Sequence, residues 1–347
     1  MKFTSVIFIF ISIILIFGGV FSMKYARDLA GNDVLIDGYS WSEDGQNTQN
    51  LSLKEFELTK ISFTLTDCDI EITQTDKDPY VELVNFKPNT YICSTSTKSL
   101  NISDDISIAD YLSFDGSGVK FSGVWQTLFS EYNSRKYKSE NNSRSVVLHL
   151  NSIDDLKQIN LTLTDCSLKL HDIKGKGDIK ITADKSEIEL ANITSTVLSL
   201  SGKKTEYSIL NAEAAKFTAE LDSGLFTSTS INAKSIELDF AELDATVINP
   251  VFTDFKASFE KGSITFDTDY DLTCFGRDLE TKNGNLLING ANSGSSFKSD
   301  KDTVYPAFIK IDTKEGDIDL KFGDLIIITP PAEGEDPDNG NAETPNP

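Results

Sequence analysis

The stretch ISFTLTDCDIEI, residues 61–72, returns with few changes as INLTLTDCSLKL, residues 159–170. In both copies apolar and polar residues alternate on each side of a TDC tripeptide, and a period of two is typical of half-buried β-strands. Each copy carries a cysteine at the same place, Cys68 in the first and Cys166 in the second. Each copy therefore predicts two short strands joined at a corner that holds one cysteine.

An apolar pattern with a period of 19 or 20 residues continues from the second copy. The first inward position of each unit is held by Ile159, Ile179, Leu198, Phe217, Ile236 and Phe255. Because a unit of two short strands cannot bury its apolar face alone, successive units must stack, with each strand parallel to its counterpart about 4.8 Å away. The sequence predicts an all-β fold, a single-handed stacked β-solenoid of the β-helix or β-roll type with two-strand rungs of about 19 residues.

We predict a β-strand-repeat domain over residues 55–328, with regular rungs at 159–273. Two weaker rungs continue the pattern at residues 279–288 and 309–320. Residues 28–54 are predicted as a linker that leads into this domain.

Each rung turns at a corner between its two strands, and one position at this corner recurs from rung to rung. We call these equivalent positions the corner column, and nearly all of them hold small residues. They are Cys68, Cys166, Ser186, Thr205, Gly224, Gly262, Gly284 and Gly316, while Leu243 is the one large occupant. A chain that turns tightly between strands leaves little room for a side chain, and glycine tolerates the dihedral angles that a turn requires. The cysteines are then small buried thiols. A Cys68–Cys166 disulfide, which requires the two copies to lie on adjacent rungs, and a ligand or nucleophile role remain as alternatives.

Residues 105–144 interrupt the pattern as an inserted segment. Within it GVWQTLFSEYNSRKYKSENNSR, residues 123–144, carries apolar residues at helix-like spacing and then becomes polar and basic. One interpretation is a cap over an open end of the solenoid. The other is a partner-binding patch centred on Trp125 and Phe129, since exposed aromatic residues beside basic ones mark contact surfaces.

The N-terminus predicts export. Residues 6–23 are apolar apart from two serines and two glycines, with Lys2 before them and Lys24 after them. This run is just long enough to cross a bilayer, and we assign residues 1–27 as a membrane anchor, with a signal peptide as the alternative. We expect a single-pass protein with an extracellular body, or a secreted protein if the segment is cleaved. At the other end, residues 329–347 hold five acids and five of the nine prolines and predict a disordered tail.

The net charge of −22 argues against nucleic-acid binding, which needs a basic face. Two histidines without metal-ligand spacing give no basis for a zinc site. The nearest approach to a metal motif is DTDYD, in which Asp267, Asp269 and Asp271 would place three carboxylates on one face of a strand as calcium ligands. The glycine of a calcium-binding loop is missing there, because Leu272 stands in its place. We predict no cofactor apart from this weak calcium candidate.

Three longer stretches resemble a known family. The opening of the bacterial β-strand-repeat proteins known as putative adhesins resembles the stretch LTKISFTLTDCDIEITQTDKDPYVELVNF. Their central repeats resemble DLKQINLTLTDCSLKLHDIKGKGDIKITADKSEIEL. Their closing rung resembles IKIDTKEGDIDLKF. The resemblance covers roughly residues 55–323. It implies an exported, often membrane-anchored body, in some members linked with envelope-stress systems, and it supplies no catalytic residues.

The sequence therefore predicts a protein that is not an enzyme. We expect a cell-surface module for binding, adhesion or envelope-stress sensing, held to the membrane by its N-terminal segment and contacting a cell-envelope protein or glycan. The alternatives are a calcium-dependent carbohydrate-active β-helix enzyme and a structural spacer.

Overall fold

Alternating side chains organise the whole of the described chain. A computed structural model describes residues 48–54, 56–76, 78–86, 91–96, 98–104, 143–151, 156–300 and 303–326. In β7 (Arg144–Leu150), for example, every second residue is buried, as expected for a strand with one face on the core. These residues form strands and a single 3-10 turn at Leu272–Cys274, with no α-helix among them, so the prediction of an all-β protein is confirmed.

The chain divides into two compact units, Met1–Lys169 and Leu170–Pro347. The strands of the first unit are β1 (Thr48–Ser52), β2 (Lys60–Thr66), β3 (Cys68–Gln74), β4 (Tyr80–Val84), β5 (Tyr91–Ser96), β6 (Ser99–Asp104), β7 (Arg144–Leu150) and β8 (Gln158–Thr164). A ninth strand, β9 (Ser167–His171), runs across the boundary in the chain. β1 thus lies inside the stretch that the sequence predicted to be a linker.

The described strands β1 to β8 of the first unit form two sets of four. In one set β2 lies between β6 and β8 and is parallel to both, while β5 pairs antiparallel with β6. In the other set β7 is parallel to β3 and antiparallel to β4, and β4 is antiparallel to β1. The two similar stretches of sequence are direct neighbours, because β2 and β8 pair in register from Lys60–Gln158 to Thr66–Thr164.

The second unit contains eleven strands in its described part. They are β10 (Asp178–Asp184), β11 (Glu187–Lys203), β12 (Thr205–Ile248), β13 (Asp254–Lys261), β14 (Ile264–Tyr270), β15 (Phe275–Asn283), β16 (Leu286–Ile288), β17 (Ala291–Asn292), β18 (Ser296–Lys298), β19 (Ala307–Glu315) and β20 (Ile318–Leu325). The longest of these, β11 and β12, include corners, since residues with positive φ lie inside both.

Parallel pairing dominates the second unit. β11 pairs with β12 at a constant offset of 19 residues, as in Ile188 with Tyr207 and Leu198 with Phe217. Strand order departs from chain order near the C-terminus, because β19 lies between β13 and β15 and β20 lies between β14 and β16. The short strands β18 and β17 pair antiparallel with β15 and β16.

Aromatic rings form much of the core of the second unit. Phe226 and Phe240 have ring centroids 5.3 Å apart, and Phe240 and Phe259 are separated by 5.2 Å. Phe252 stacks on Phe275 with centroids 5.6 Å apart. Each of these five rings is at most 3% exposed, so burial of aromatic and aliphatic surface is the main source of stability.

Several predicted features lie outside the described residues. They are the apolar segment at 6–23, the aromatic pair Trp125 and Phe129, and the acidic tail at 329–347. Within the part of the chain that the structure describes, no helix is long and apolar enough to cross a membrane.

Candidate functional site

A polar groove on the outer face of the second unit is the main candidate for a binding site. It has a volume of about 630 Å³ and is open to solvent. The side chains come from β10, β11, β12, β13 and β19, whose inward neighbours fill the core. Alternation along each strand therefore produces the groove, because residues that face away from the core line up across parallel strands.

The groove is lined by hydroxyl, carboxylate and ammonium groups together with Leu200, Ala219, Leu238 and Ala257. The polar lining consists of Lys180, Ser199, Ser201, Thr218, Glu220, Glu237, Asp239, Lys256, Ser258, Lys310 and Asp312. These include three lysines and four acids, so the local charge is close to balanced although the whole protein is strongly acidic. A ligand with many hydroxyl groups, or with both signs of charge, would find partners along its length.

Hydrogen bonds across neighbouring strands fix several of these side chains. Thr218 donates from Oγ1 to Ser199 Oγ at 2.9 Å, and Ser258 donates from Oγ to Asp239 Oδ1 at 2.6 Å. Lys310 lies 3.4 Å from Asp312, so part of its charge is locally matched. Paired strands lie about 4.8 Å apart, and the groove presents a polar group at each step.

Three of the small corner residues, Cys166, Ser186 and Thr205, donate hydrogen bonds from their side chains, whereas the Cys68 thiol lies 3.6 Å from Asp69 O. Cys166 donates from Sγ to Thr164 O at 3.2 Å and to Leu65 O, on the neighbouring strand, at 3.4 Å. Thr205 donates from Oγ1 to Lys203 O and Ala183 O, each at 3.0 Å. Ser186 donates to Asp184 O at 2.8 Å. The shared bond runs to the carbonyl two residues earlier, a role that steric reasoning from the sequence did not anticipate.

At the later corners, backbone atoms of the neighbouring strand occupy the space that a side chain would need. Gly224, Gly262 and Gly316 have φ angles of +132°, +118° and +142°, in the region that favours glycine. A Cβ at Gly262 would lie 1.8 Å from Leu243 O, and a Cβ at Gly284 would lie 1.9 Å from Gly316 O. Gly224, Gly262 and Gly316 are therefore required both by backbone conformation and by the close approach of the neighbouring strand, and Gly284 by the close approach alone.

The thiols are poor nucleophiles. Burial raises the pKa of Cys166 to about 11, and burial also raises the pKa of Cys68, although the nearby Arg144 guanidinium opposes that shift. The thiolate is the reactive form, so roughly one molecule in ten thousand would carry a Cys166 thiolate at neutral pH. Cys93 and Cys274 lie away from the corners, and burial raises the pKa of each.

Two of the three aspartates predicted to bind calcium, Asp269 and Asp271, have different environments in the structure. Asp271 caps the 3-10 turn, accepting from Thr273 N at 2.8 Å and from Thr273 Oγ1 at 2.6 Å, and these bonds lower its pKa. Asp269 is exposed, and its backbone N donates to Asn249 Oδ1 at 3.1 Å. Among the described residues no group of three acidic, histidine or cysteine side chains is placed to hold a metal ion. Calcium binding by Asp267, Asp269 and Asp271 stays a prediction.

A buried ion pair in the first unit joins the ends of the inserted segment. Arg144 lies 2.6 Å from Asp104 Oδ1 through Nη1 and also donates to Thr66 O, while Asp104 Oδ2 accepts from Thr66 N at 2.7 Å. The guanidinium lies over the Phe86 ring at 4.9 Å. Arg144 pairs in register with Cys68, so the ion pair occupies a corner from which the chain departs into residues 105–142. Opposite charges at the two ends of the insertion are the one signal of this pair that can be read in the sequence.

Comparisons with solved structures found matches to bacterial proteins at low sequence identity. A "putative lipid binding protein" from Parabacteroides distasonis ATCC 8503 is 11% identical, with a TM-score of 0.40 over 81% of this chain and 96% of the other. A "putative adhesin" from Bacteroides fragilis NCTC 9343 is 16% identical, with a TM-score of 0.31 over 82% of this chain and 100% of the other. A "putative adhesin" from Parabacteroides merdae ATCC 43184 is 11% identical, with a TM-score of 0.37 and coverages of 81% and 96%. No protein-family model and no curated protein matches the sequence.

Proposed function

We propose that this protein is a non-enzymatic binding module of the cell surface, and that the groove on the second unit holds its ligand. The observation that carries the proposal is the alignment of outward polar side chains across the parallel strands of that unit. Such rows suit an extended ligand, because each strand adds a further contact at the same spacing. A cell-envelope glycan fits this chemistry best, since its hydroxyl groups can pair with the serines, carboxylates and lysines of the groove.

The finer architecture belongs to the same proposal. We propose that the strands wind as a β-solenoid, which the constant 19-residue offset between β11 and β12 supports. A further support is the recurrence of parallel pairs such as Ile236 with Phe255 and Phe255 with Ile309 in later strands. A regular array of this kind presents an elongated surface without a deep catalytic cleft.

Binding to purified envelope polysaccharide tests the groove. Replacing Lys180 and Lys256 by glutamate reverses two charges in the lining, and we expect binding to weaken about 10-fold or more. Lys282→Glu is the matched control, because Lys282 is exposed on the same unit and does not line the groove. Equal binding by the double variant and the control would show that the ligand does not lie in this groove.

The cellular location is proposed from the N-terminal sequence. Residues 1–27 would anchor the chain with the described strands of both units outside the cell. Protease added to intact cells should then remove the two units while a cytoplasmic marker survives. Full protection of the units in intact cells, with digestion after lysis, would contradict this topology.

A further inference from the structure

An arginine occupies an inward position at the end of the parallel array in the second unit. Arg277 of β15 pairs in register with Ile309 of β19, which in turn pairs with Phe255 of β13. Both neighbours in this row are fully buried apolar residues, whereas Arg277 is a cation that is 8% exposed. A buried charge at an apolar position is costly unless something compensates it.

Two aromatic rings provide part of the compensation. The guanidinium carbon lies 4.7 Å from the centroid of the Phe297 ring and 5.9 Å from that of Phe322. Rings at these distances attract a cation through their faces. Burial lowers the pKa of Arg277, and the nearby Tyr305 opposes that shift.

No carboxylate completes the site within the part of the chain that the structure describes. Arg277 forms no ion pair there, and its Nε is buried without a hydrogen-bond partner. The adjacent acid, Asp278, is already engaged by Lys298 at 2.7 Å. A guanidinium offers five N–H donors in a planar fork, so this side chain retains an unused capacity to hold an anion.

We propose that Arg277 is the anchor of a binding site for a carboxylate group, with Phe297 and Phe322 holding the guanidinium in place. A carboxylate matches the planar fork with two parallel hydrogen bonds, and a single negative charge meets less repulsion from an acidic protein than a phosphate dianion does. The site goes beyond the proposed function, because Arg277 is not among the residues that line the groove. If Arg277 does not bind a carboxylate, the proposal that the groove binds a glycan is unaffected.

The carboxylate can come from two sources. One is a ligand such as an acidic sugar. The other is the protein itself, because the described chain ends at Ile326, whose carbonyl accepts from Cys274 Sγ at 3.3 Å, and the acidic stretch 329–347 follows. Cys274 is only three residues from Arg277 in the sequence, so the described chain ends in contact with the segment that leads into Arg277.

Calorimetric titration of the full-length protein in detergent distinguishes the sources. The probes are D-galacturonate, D-galactose as its neutral counterpart, and inorganic phosphate. We expect galacturonate to bind at least about 10-fold more tightly than galactose, as one charge-assisted pair of hydrogen bonds would give. A second protein, with Glu333, Glu335, Asp336, Asp338 and Glu343 changed to amides, should bind galacturonate more tightly than the wild type if the tail occupies the site.

Substitution at the site separates binding from structural support. Arg277→Met should weaken galacturonate binding about 10-fold or more and leave the melting temperature unchanged or higher, since an apolar residue suits the row. Arg277→Lys should give an intermediate affinity, because the charge remains without the fork. Lys298→Met, which removes a neighbouring exposed cation, is the control and should bind like the wild type.

Three results would overturn the proposal. They are equal binding of galacturonate by Arg277→Met and the wild type, absence of binding by both the wild type and the amide variant, and phosphate binding as tight as galacturonate binding.

Discussion

The corners of this protein are built in two ways, and the difference separates side-chain chemistry from backbone geometry. At Cys166, Ser186 and Thr205 a small side chain donates to the carbonyl two residues earlier. At Gly224, Gly262 and Gly316 no side chain fits, because a Cβ would lie 2.0 Å or less from a neighbouring carbonyl oxygen. The first kind of corner should tolerate any small donor, whereas the second should tolerate glycine alone.

The corner at the inserted segment also depends on side-chain chemistry, because the buried ion pair between Arg144 and Asp104 lies there. Arg144→Met would leave the Asp104 carboxylate buried without its cation, and we expect a loss of about 3 to 5 kcal/mol in the free energy of unfolding. Chemical denaturation of the variant measures this loss. Arg144→Met combined with Asp104→Leu should recover much of it, because an apolar pair leaves no buried charge. A double variant as unstable as the single one would show that the ion pair itself holds this corner.

Gly262→Val tests the second kind of corner. A side chain at φ +118° is strained, and its Cβ would lie 1.8 Å from Leu243 O, so the backbone of one strand must move. We expect a loss of about 3 kcal/mol or more.

Lys261→Val is the matched control for this change. Lys261 is exposed and pairs with Glu242 at 3.3 Å, and its loss should cost less than about 0.5 kcal/mol. Equal melting temperatures for the two variants would mean that the corner at Gly262 has room for a side chain.

Thr205→Val removes one hydroxyl with little change of shape. Thr205 is fully buried, and both of its acceptor carbonyls would lose a donor, so we expect a loss of about 1 to 3 kcal/mol. Thr205→Ser retains the donor and should lose less. If valine and serine were equally tolerated, these corners would depend on size and not on hydrogen bonding.

Among the substitutions of corner side chains, Cys166→Ser should have the smallest effect, below about 1 kcal/mol, because Ser186 and Thr205 make the same bond elsewhere. The two proteins should differ at high pH. The pKa of Cys166 is raised from 9.0 to about 11, so its contribution to stability is present below pH 9 and is lost as the pH rises from 9 to 11.

Denaturation between pH 8 and 11 would show a steeper decline for the wild type. Cys68 and Cys166 are both free thiols in the structure. A loss on substitution that occurs only without reductant would instead indicate a Cys68–Cys166 disulfide, since each cysteine follows two residues after the paired strand ends Thr66 and Thr164.

The strands could be predicted from the local alternation of apolar and polar residues, whereas the pairing of strands that are distant in the sequence could not. The rows through Ile179, Leu198 and Phe217 follow from a period of two within each strand and 19 between strands. The position of β19 between β13 and β15 does not follow, because identical apolar patterns fit several neighbours equally well. Arg277 escaped notice as an inward residue because a cation interrupts the apolar pattern that reveals such positions.

The candidate sites divide in the same way. A groove of polar residues cannot be located until the strands that supply them are known to be adjacent, as with Lys256 of β13 and Lys310 of β19. Asp104 and Arg144 meet across 39 intervening residues, and no local pattern joins them. In a strongly acidic protein, a cluster of acidic residues in the sequence is weak evidence for a metal site. The DTDYD stretch is an example.

The short strands β17 and β18 have a consequence for self-assembly. A parallel array ends in a row of unpaired backbone amides and carbonyls, which can template the addition of another chain. Here β18 pairs antiparallel along Asp278–Glu280 of β15, and β17 does the same along β16. The antiparallel direction and the small size of these strands make the edge a poor template for a further parallel layer. Identical copies of the protein can therefore be crowded together while each parallel array stops growing at the edge of a single molecule.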